Sequence, residues 1–159
     1  MISLQERFFP TSTCFGCGPA NANGLRLRSF ADSSTGVTST LAHFTTTTTH
    51  DNGLGCVNGG IIATLLDCHS AGSALLQAEL LEWTTAEGAA YPCVTAGLEL
   101  RYLRPTPLCE ELDLRAEVAE YTSDQITVLS TISQADKIRA EALVIWRRWK
   151  PRVTAADAS

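Results

Sequence analysis

The most constraining feature of the sequence is a long apolar segment that opens with two glycines and contains one carboxylate. The stretch "VNGGIIATLLDCHS" (57–70) includes Gly59, Gly60 and Asp67, and its apolar pattern continues to about residue 77. Apolar side chains surround most of the helix circumference, which is typical of a helix that is buried on nearly every side. The segment therefore predicts a central core helix that carries Asp67 in an apolar setting.

Strand-like patterns lie on both sides of this helix. Two precede it, at 25–30 and 36–49, and four follow it, at 93–104, 111–121, 125–134 and 138–149. Alternating apolar residues and β-branched residues favour strands, and the short breaks between the later runs are typical of antiparallel connections. We therefore expect an α+β fold in which a curved antiparallel sheet of five or six strands wraps around one long central helix. A second copy of the chain would cover the remaining helix face.

The length of 159 residues predicts a single domain with a core of its own. Several glycines and prolines occur in residues 1–24, which predicts an N-terminal loop segment. We expect the domain to occupy residues 25–150 and a frayed tail to occupy residues 151–159.

Charge and hydropathy argue against two classes of partner. The net charge is −5 and no basic stripe runs over the whole chain, although "RRWKPR" (147–152) is a short basic cluster that exposed charges at a strand end explain equally well. Nonspecific nucleic-acid binding depends on more extensive clusters of lysine and arginine. We find no uninterrupted apolar run of the ~20 residues that a membrane span needs, and no basic region followed by an apolar one at the N-terminus. We therefore expect a cytoplasmic protein with reduced thiols and with neither nucleic-acid nor membrane partners.

The start of the central helix offers backbone groups that could stabilise an oxyanion. The first N–H groups of a helix have no partner within it and carry partial positive charge. Gly59 has no Cβ, so a carbonyl oxygen can approach its amide closely. Asn58 occupies a favoured N-cap position, and a capped helix packed tightly against a strand is the alternative interpretation.

Asp67 lies too far along the helix to act together with Gly59 of the same chain. Eight residues correspond to roughly 12 Å of helix axis. Two helices packed antiparallel about a twofold axis would bring each Asp67 towards the glycine end of the other helix. The alternative is a buried carboxylate bonded to Ser70, Thr64 or the main chain.

Longer motifs around this helix resemble those of the hotdog-fold acyl-CoA thioesterases of the PaaI-like type. They are "HDNGLGCVNGGIIATLLDCHSAGSAL" (50–75), "VTAGLELRYLRPTPL" (94–108) and "CFGCGPANANGLRLRSF" (14–30). The resemblance covers about residues 14–149. It implies hydrolysis of an acyl-CoA thioester by a homodimer or a dimer of dimers, with coenzyme A as part of the substrate and with no separate cofactor or metal.

The resemblance also implies catalytic roles for four residues. The Gly59 backbone N–H would polarise the thioester carbonyl, and Asp67 of the neighbouring subunit would act as nucleophile or general base. Asn52, seven residues before Gly59, would contact the carbonyl or the water. Thr95 would orient the attacking water.

Further residues are predicted to bind substrate. Asn58 stands where the family usually has histidine; it can still form hydrogen bonds, but it cannot change charge near neutral pH. Gly60 follows in the same turn, and His50 could approach the substrate or serve only as a turn residue. Four basic residues could contact the phosphates of coenzyme A, although each alone is also typical of an exposed surface: Arg101, Arg104, Lys137 and Arg139.

The cysteines admit several interpretations. Cys14 and Cys17 have the spacing of half a zinc site or of a redox pair, but no second C-x-x-C follows, so we favour a turn without metal. Cys68 is expected to be buried as a small apolar residue. Because adjacent helix residues point about 100° apart, His69 is expected to be a hydrogen-bonded group near the dimer seam or the pocket rather than a base for Cys68.

Two other activities on the same fold remain open. Asn58 in place of histidine is compatible with an acyl-CoA binding or sensing module that performs no chemistry. Hydration or dehydration of an acyl thioester usually needs a histidine near the reacting carbon, and His69 is the only histidine on the predicted helix. The carboxylate of Asp67 favours hydrolysis over both.

Overall fold

The computed structural model describes residues 2–87 and 89–150, so the tail predicted at 151–159 lies outside the described residues. The elements in chain order are α1 (Leu4–Phe8), β1 (Ser29–Ala31), β2 (Ser39–Thr45), the short 3₁₀ helix η1 (Thr48–His50), α2 (Gly59–Leu80), β3 (Cys93–Tyr102), β4 (Glu111–Tyr121), β5 (Gln125–Gln134) and β6 (Lys137–Arg148).

The six strands form one antiparallel sheet that wraps around α2. Their order is β1-β2-β4-β5-β6-β3, so β1 and β3 lie at the two edges. Helix α2 contacts all six strands. This architecture confirms the predicted α+β fold with a single long central helix.

The core lies between α2 and the concave face of the sheet. Strand β4 shows why the sheet has such a face, since its alternate residues Leu112, Leu114, Ala116 and Val118 are buried while their neighbours are exposed. By length and composition α2 could cross a membrane, but most of its apolar stretch is buried inside the fold. This burial is typical of a core helix.

The predicted elements before α2 need correction. The loop predicted over residues 1–24 contains α1, whose start is stabilised by reciprocal hydrogen bonds between Ser3 and Glu6. The strand predicted at 25–30 is reduced to β1, because the backbone N–H groups of Leu25 and Leu27 bond to loop carbonyls at residues 15 and 16 instead of to a strand. The strand predicted at 36–49 ends at Thr45, and η1 follows.

His69 is fully buried in the core between α2 and the sheet. Its Nδ1 is 2.9 Å from Ser29 Oγ, and its Nε2 is 3.3 Å from the Thr40 carbonyl oxygen. Burial lowers the pKa of His69 to about 4. The neutral ring therefore fastens α2 to β1 and β2, which agrees with the expected hydrogen-bonded group.

Replacing two buried core serines by alanine is expected to affect the free energy of unfolding differently. Ser73 Oγ donates to the Ala116 carbonyl and lies 2.9 Å from Thr40 Oγ1, whereas Ser130 Oγ has no hydrogen-bond partner among the described residues. We expect Ser73→Ala to lower the free energy of unfolding by about 1–2 kcal/mol, because it leaves the Thr40 hydroxyl without a partner. Ser130→Ala should leave that free energy unchanged or raise it by about 1 kcal/mol. Urea denaturation of the two variants checks the difference, and equal losses would contradict it.

Candidate active site

A half-buried carboxylate on α2 faces a threonine on the edge strand. Thr95 Oγ1 donates a hydrogen bond of 2.8 Å to Asp67 Oδ1. Burial raises the pKa of the Asp67 carboxyl, and the hydrogen bond from Thr95 opposes part of that rise. A carboxylate with a raised pKa is a stronger base than an exposed one, so this position suits proton transfer.

A β-bulge in β3 places Thr95 on the side of the sheet that faces the helix. Thr95 pairs with Trp146 of β6, the next pair joins Gly97 to Ile145, and the residue between them is extra. At the other end of the strand Tyr102 pairs with Ala140. Because Trp146 and Ala140 both lie on the buried face of β6, Thr95 and Tyr102 share that face although they are seven residues apart.

Tyr102 fixes the beginning of α2. Its Oη donates a hydrogen bond of 2.9 Å to the Gly59 carbonyl oxygen. A Cβ on Gly59 would lie only 3.0 Å from Tyr102 Oη, so glycine permits the strand to pack directly against the first turn of the helix. Strand β3 therefore runs antiparallel to α2, with Thr95 beside Asp67 and Tyr102 beside Gly59.

The backbone N–H groups of Gly59 and Gly60 differ in whether they are free to bind a ligand. Asn58 Oδ1 accepts a hydrogen bond of 2.8 Å from Gly60 N–H, which is the N-cap interaction predicted for Asn58. Among residues 2–87 and 89–150, none accepts a hydrogen bond from Gly59 N–H. The helix is thus both capped and left with one glycine amide that can receive an oxyanion.

The turn before α2 contains Asn52 and His50. Asn52 Oδ1 accepts bonds from the backbone N–H groups of Leu54 and Cys56, at 2.8 and 3.4 Å, so its side-chain oxygen is used by its own turn. His50 Nδ1 accepts a bond of 3.0 Å from the backbone of Thr47, and burial lowers the pKa of His50. The carbonyl of His50 receives the Asn58 N–H at 2.8 Å, which ties this turn to the helix start.

The four basic candidates separate into two locations. Arg104 Nη1 donates to the Ile138 carbonyl, its backbone N–H bonds to the Arg139 carbonyl, and Lys137 is exposed at the start of β6 in the same region. Arg101 bonds to Glu141 at 3.1 Å, and this pair lies on the outer face of the sheet, one position out of phase with Tyr102. The sheet therefore separates Arg101 from the helix face. Arg104 follows Tyr102 just beyond the end of β3, and it lies beside the start of β6, which contains Lys137 and Arg139.

An apolar cavity of about 110 Å³ adjoins Asp67. Its walls come from the N-terminal segment, α2, the segment before β3, the first residue of β3 and the end of β6: Phe9, Cys14, Cys17, Asp67, Cys68, Ala71, Leu75, Tyr91, Cys93 and Trp146. The aromatic residues of this wall were not predicted from the sequence. The apolar alternation of β6 is a signal that could have marked Trp146 as an inward residue, whereas no local pattern distinguishes Phe9 or Tyr91.

Comparisons with known proteins identify the family and the fold. A model of the thioesterase superfamily matches residues 54–145, which include α2, β3 and most of the remaining sheet. A search of curated proteins gives no match.

Solved structures show the same arrangement of elements. A phenylacetic acid degradation-related protein from Ralstonia eutropha JMP134 is 25% identical, with 91% of this chain and 98% of that chain covered and a TM-score of 0.66. A thioesterase superfamily protein from Shewanella loihica PV-4 is 29% identical, with coverages of 83% and 98% and a TM-score of 0.60. The E. coli PaaI protein, at 19% identity, coverages of 85% and 88% and a TM-score of 0.65, shares the fold. The chain is thus a member of the thioesterase superfamily, with the hotdog fold of PaaI-like proteins.

Proposed function

We propose that this protein hydrolyses an acyl-CoA thioester to a free acid and coenzyme A. Membership of the thioesterase superfamily supports thioester hydrolysis in general. The observation that carries the proposal is the placement, along one edge of the domain, of the Asp67 carboxylate and the unpartnered Gly59 amide. These are the two groups that attack on a carbonyl needs: a base or nucleophile, and a donor for the oxyanion.

The complete site would be shared by two subunits. Strand β3 is an edge strand, and its Leu98 and Tyr102 side chains are 40% and 55% exposed. An exposed apolar edge favours pairing with another strand. Antiparallel pairing of two β3 strands about residues 98–99 would place the Thr95 end of one beside the Tyr102 end of the other. The same pairing would bring Asp67 towards the partner's Gly59, in a homodimer or a dimer of dimers.

In this site the bond changes follow ordinary acyl transfer. Asp67 takes a proton from water as the water oxygen attacks the carbonyl carbon, or its carboxylate attacks directly and the resulting anhydride is then hydrolysed. Gly59 N–H donates to the carbonyl oxygen as negative charge develops on it. Collapse of the intermediate breaks the carbon–sulfur bond, and the departing sulfur takes up the proton that Asp67 removed from water, or a solvent proton in the anhydride route. Coenzyme A leaves as the free thiol, with no separate cofactor. Thr95 holds the carboxylate in place.

The remaining predicted residues would bind parts of the substrate. We infer that the acyl group enters the cavity beside Asp67, whose modest volume and aromatic wall favour a short or aryl acyl group. Asn52 Nδ2 and Asn58 are amide groups near the helix start that could contact the thioester, with Gly60 and His50 shaping the same turn.

Release of free thiol from a panel of acyl-CoA esters tests the proposed activity. We expect turnover of at least one short or aryl ester, with little or none of a long-chain ester. The alternative suggested by Asn58, an acyl-CoA binding module, predicts saturable binding with no product after long incubation. That outcome would overturn the proposed hydrolysis.

The two locations of the basic residues give a matched test of phosphate binding. Arg104→Ala is expected to raise KM for acyl-CoA by about threefold or more, because it removes a charged donor from the end of β3 near the helix start. Arg101→Ala, on the outer face, should leave KM unchanged. Steady-state kinetics on the preferred ester checks both variants, and the reverse order would assign the phosphates to the outer face.

A further inference from the structure

We propose that Cys14, Cys17 and Cys68 bind one Zn²⁺ ion, with a fourth coordination position open towards the cavity beside Asp67. The three Sγ atoms lie within 4.8 Å of one another. The sequence alone favoured a turn without metal, because no second C-x-x-C follows Cys14 and Cys17. The fold supplies the third donor from α2, 51 residues after Cys17 in the chain. This inference does not depend on the proposed hydrolysis.

The sulfur separations fit a tetrahedral metal site better than a disulfide. Cys14 Sγ and Cys68 Sγ are 3.7 Å apart. A tetrahedron with zinc–sulfur bonds of about 2.3 Å has sulfur–sulfur edges of about 3.8 Å. A disulfide needs a separation of about 2.05 Å, and all six cysteines are free thiols.

The loop that carries Cys14 and Cys17 is folded as a ligand-bearing turn. Gly18 N–H donates to the Cys14 carbonyl at 2.9 Å, and Cys14 N–H donates to Ser12 Oγ at 3.2 Å. These contacts hold the exposed Cys14 within the loop, on the side that faces Cys68.

Glycine at position 16 lets this loop reach α2. A Cβ there would overlap Cys68 Sγ and the Thr64 side chain, so any other residue would hold the loop away from the helix. The loop therefore approaches α2 at the one turn where the helix offers a thiol. A turn with a purely structural role needs no such thiol.

The chemistry of the donors selects the metal. Three thiolates are soft ligands that suit Zn²⁺, and a reduced chain offers them without a redox step. Binding converts three thiols to thiolates, with release of their protons, and gives a zinc tris-thiolate with one remaining position. Asp67 lines the same cavity but is not in the three-residue cluster, so we assign the fourth position to a water molecule. The ion would fix the N-terminal segment on α2 as one wall of the cavity.

Metal analysis of the full chain, purified under reducing conditions without chelators and with any affinity tag removed, tests the site. We expect about one zinc per chain in the wild type and less than about one tenth of that in Cys14→Ser and Cys68→Ser, since three thiolates are the minimum donor set here. The controls are Cys109→Ser, exposed like Cys14, and Cys93→Ala, buried like Cys68; both should retain zinc.

Cobalt substitution provides a second measurement that is independent of enzymatic activity. Tetrahedral Co²⁺ bound by thiolates should give thiolate-to-metal charge-transfer bands and intense visible d–d bands, and Cys14→Ser should abolish them. Because Cys14 lies in an exposed loop, this variant decides the question even if Cys68→Ser fails to fold. Wild-type zinc no higher than in Cys14→Ser, or a metal-free wild type with a disulfide among these three cysteines, would overturn the proposal.

Discussion

Replacing Asp67 by asparagine is expected to lower kcat/KM for acyl-CoA hydrolysis by at least about 100-fold. Asparagine has nearly the same volume, and its side-chain oxygen can still accept the hydrogen bond from Thr95. It can neither take a proton from water nor attack the carbonyl as a carboxylate does. The measurement is thiol release with the ester that the wild type prefers, at matched protein concentrations.

Two controls separate loss of chemistry from loss of structure. The Asp67→Asn variant should elute at the wild-type position in gel filtration, and it should bind the preferred ester or its free-acid product with nearly wild-type affinity. Equal rates in the variant and the wild type would remove Asp67 from the mechanism. Retained binding with lost turnover would distinguish an enzyme from a binding module.

Subunits that carry different lesions are expected to rescue each other. In a heterodimer of Asp67→Asn and Gly59→Val chains, one shared site has both native groups and the other has neither. Each homodimer should lose about 100-fold in activity, because each lacks either the carboxylate or free access to the oxyanion donor. The isolated heterodimer should regain about half of the wild-type rate, since one of its two sites is intact.

This comparison is decisive because a site within one subunit predicts a different result. If Asp67 and Gly59 of the same chain acted together, both sites of the heterodimer would carry one lesion, and its rate would stay at the level of the homodimers. Co-expression with two affinity tags isolates the mixed species. Circular dichroism of the Gly59→Val homodimer checks that the added side chain, which must pack beside Tyr102, does not unfold the chain.

The parts of the fold with strong periodic patterns were predictable from sequence. The apolar circumference of α2 and the alternation in the later strands predicted the positions of these elements within a few residues. The breaks after β4 and β5 join paired antiparallel strands, as expected, whereas β3 pairs with β6 and not with β4. Residues 25–28 were not predictable, because their alternation resembles a strand while their N–H groups bond to the N-terminal loop. Helix α1 was missed because it is only five residues long, and its stability comes from a cap and from the buried contact of Gln5 with Ser29.

The candidate site was only partly predictable from the sequence. The spacing of Gly59 and Asp67 could be read directly, and family resemblance pointed to Thr95, but their catalytic roles stay predictions. The approach of Cys68 to Cys14 depends on how the N-terminal loop folds over α2, and no short-range pattern encodes that contact. The outward position of Arg101 depends on its phase relative to Tyr102, which only the strand register reveals.

The bulge in β3 limits which insertions and deletions this strand can accept between Thr95 and Tyr102. Successive strand residues point to opposite sides, so the facing of two positions depends on whether their separation is odd or even. Thr95 and Tyr102 have an odd separation and share one side only because Ala96 adds a step outside the ladder. A lineage that gained or lost a single amino acid between them would turn one of the two away from the helix. Paired gains or losses alone would preserve both orientations.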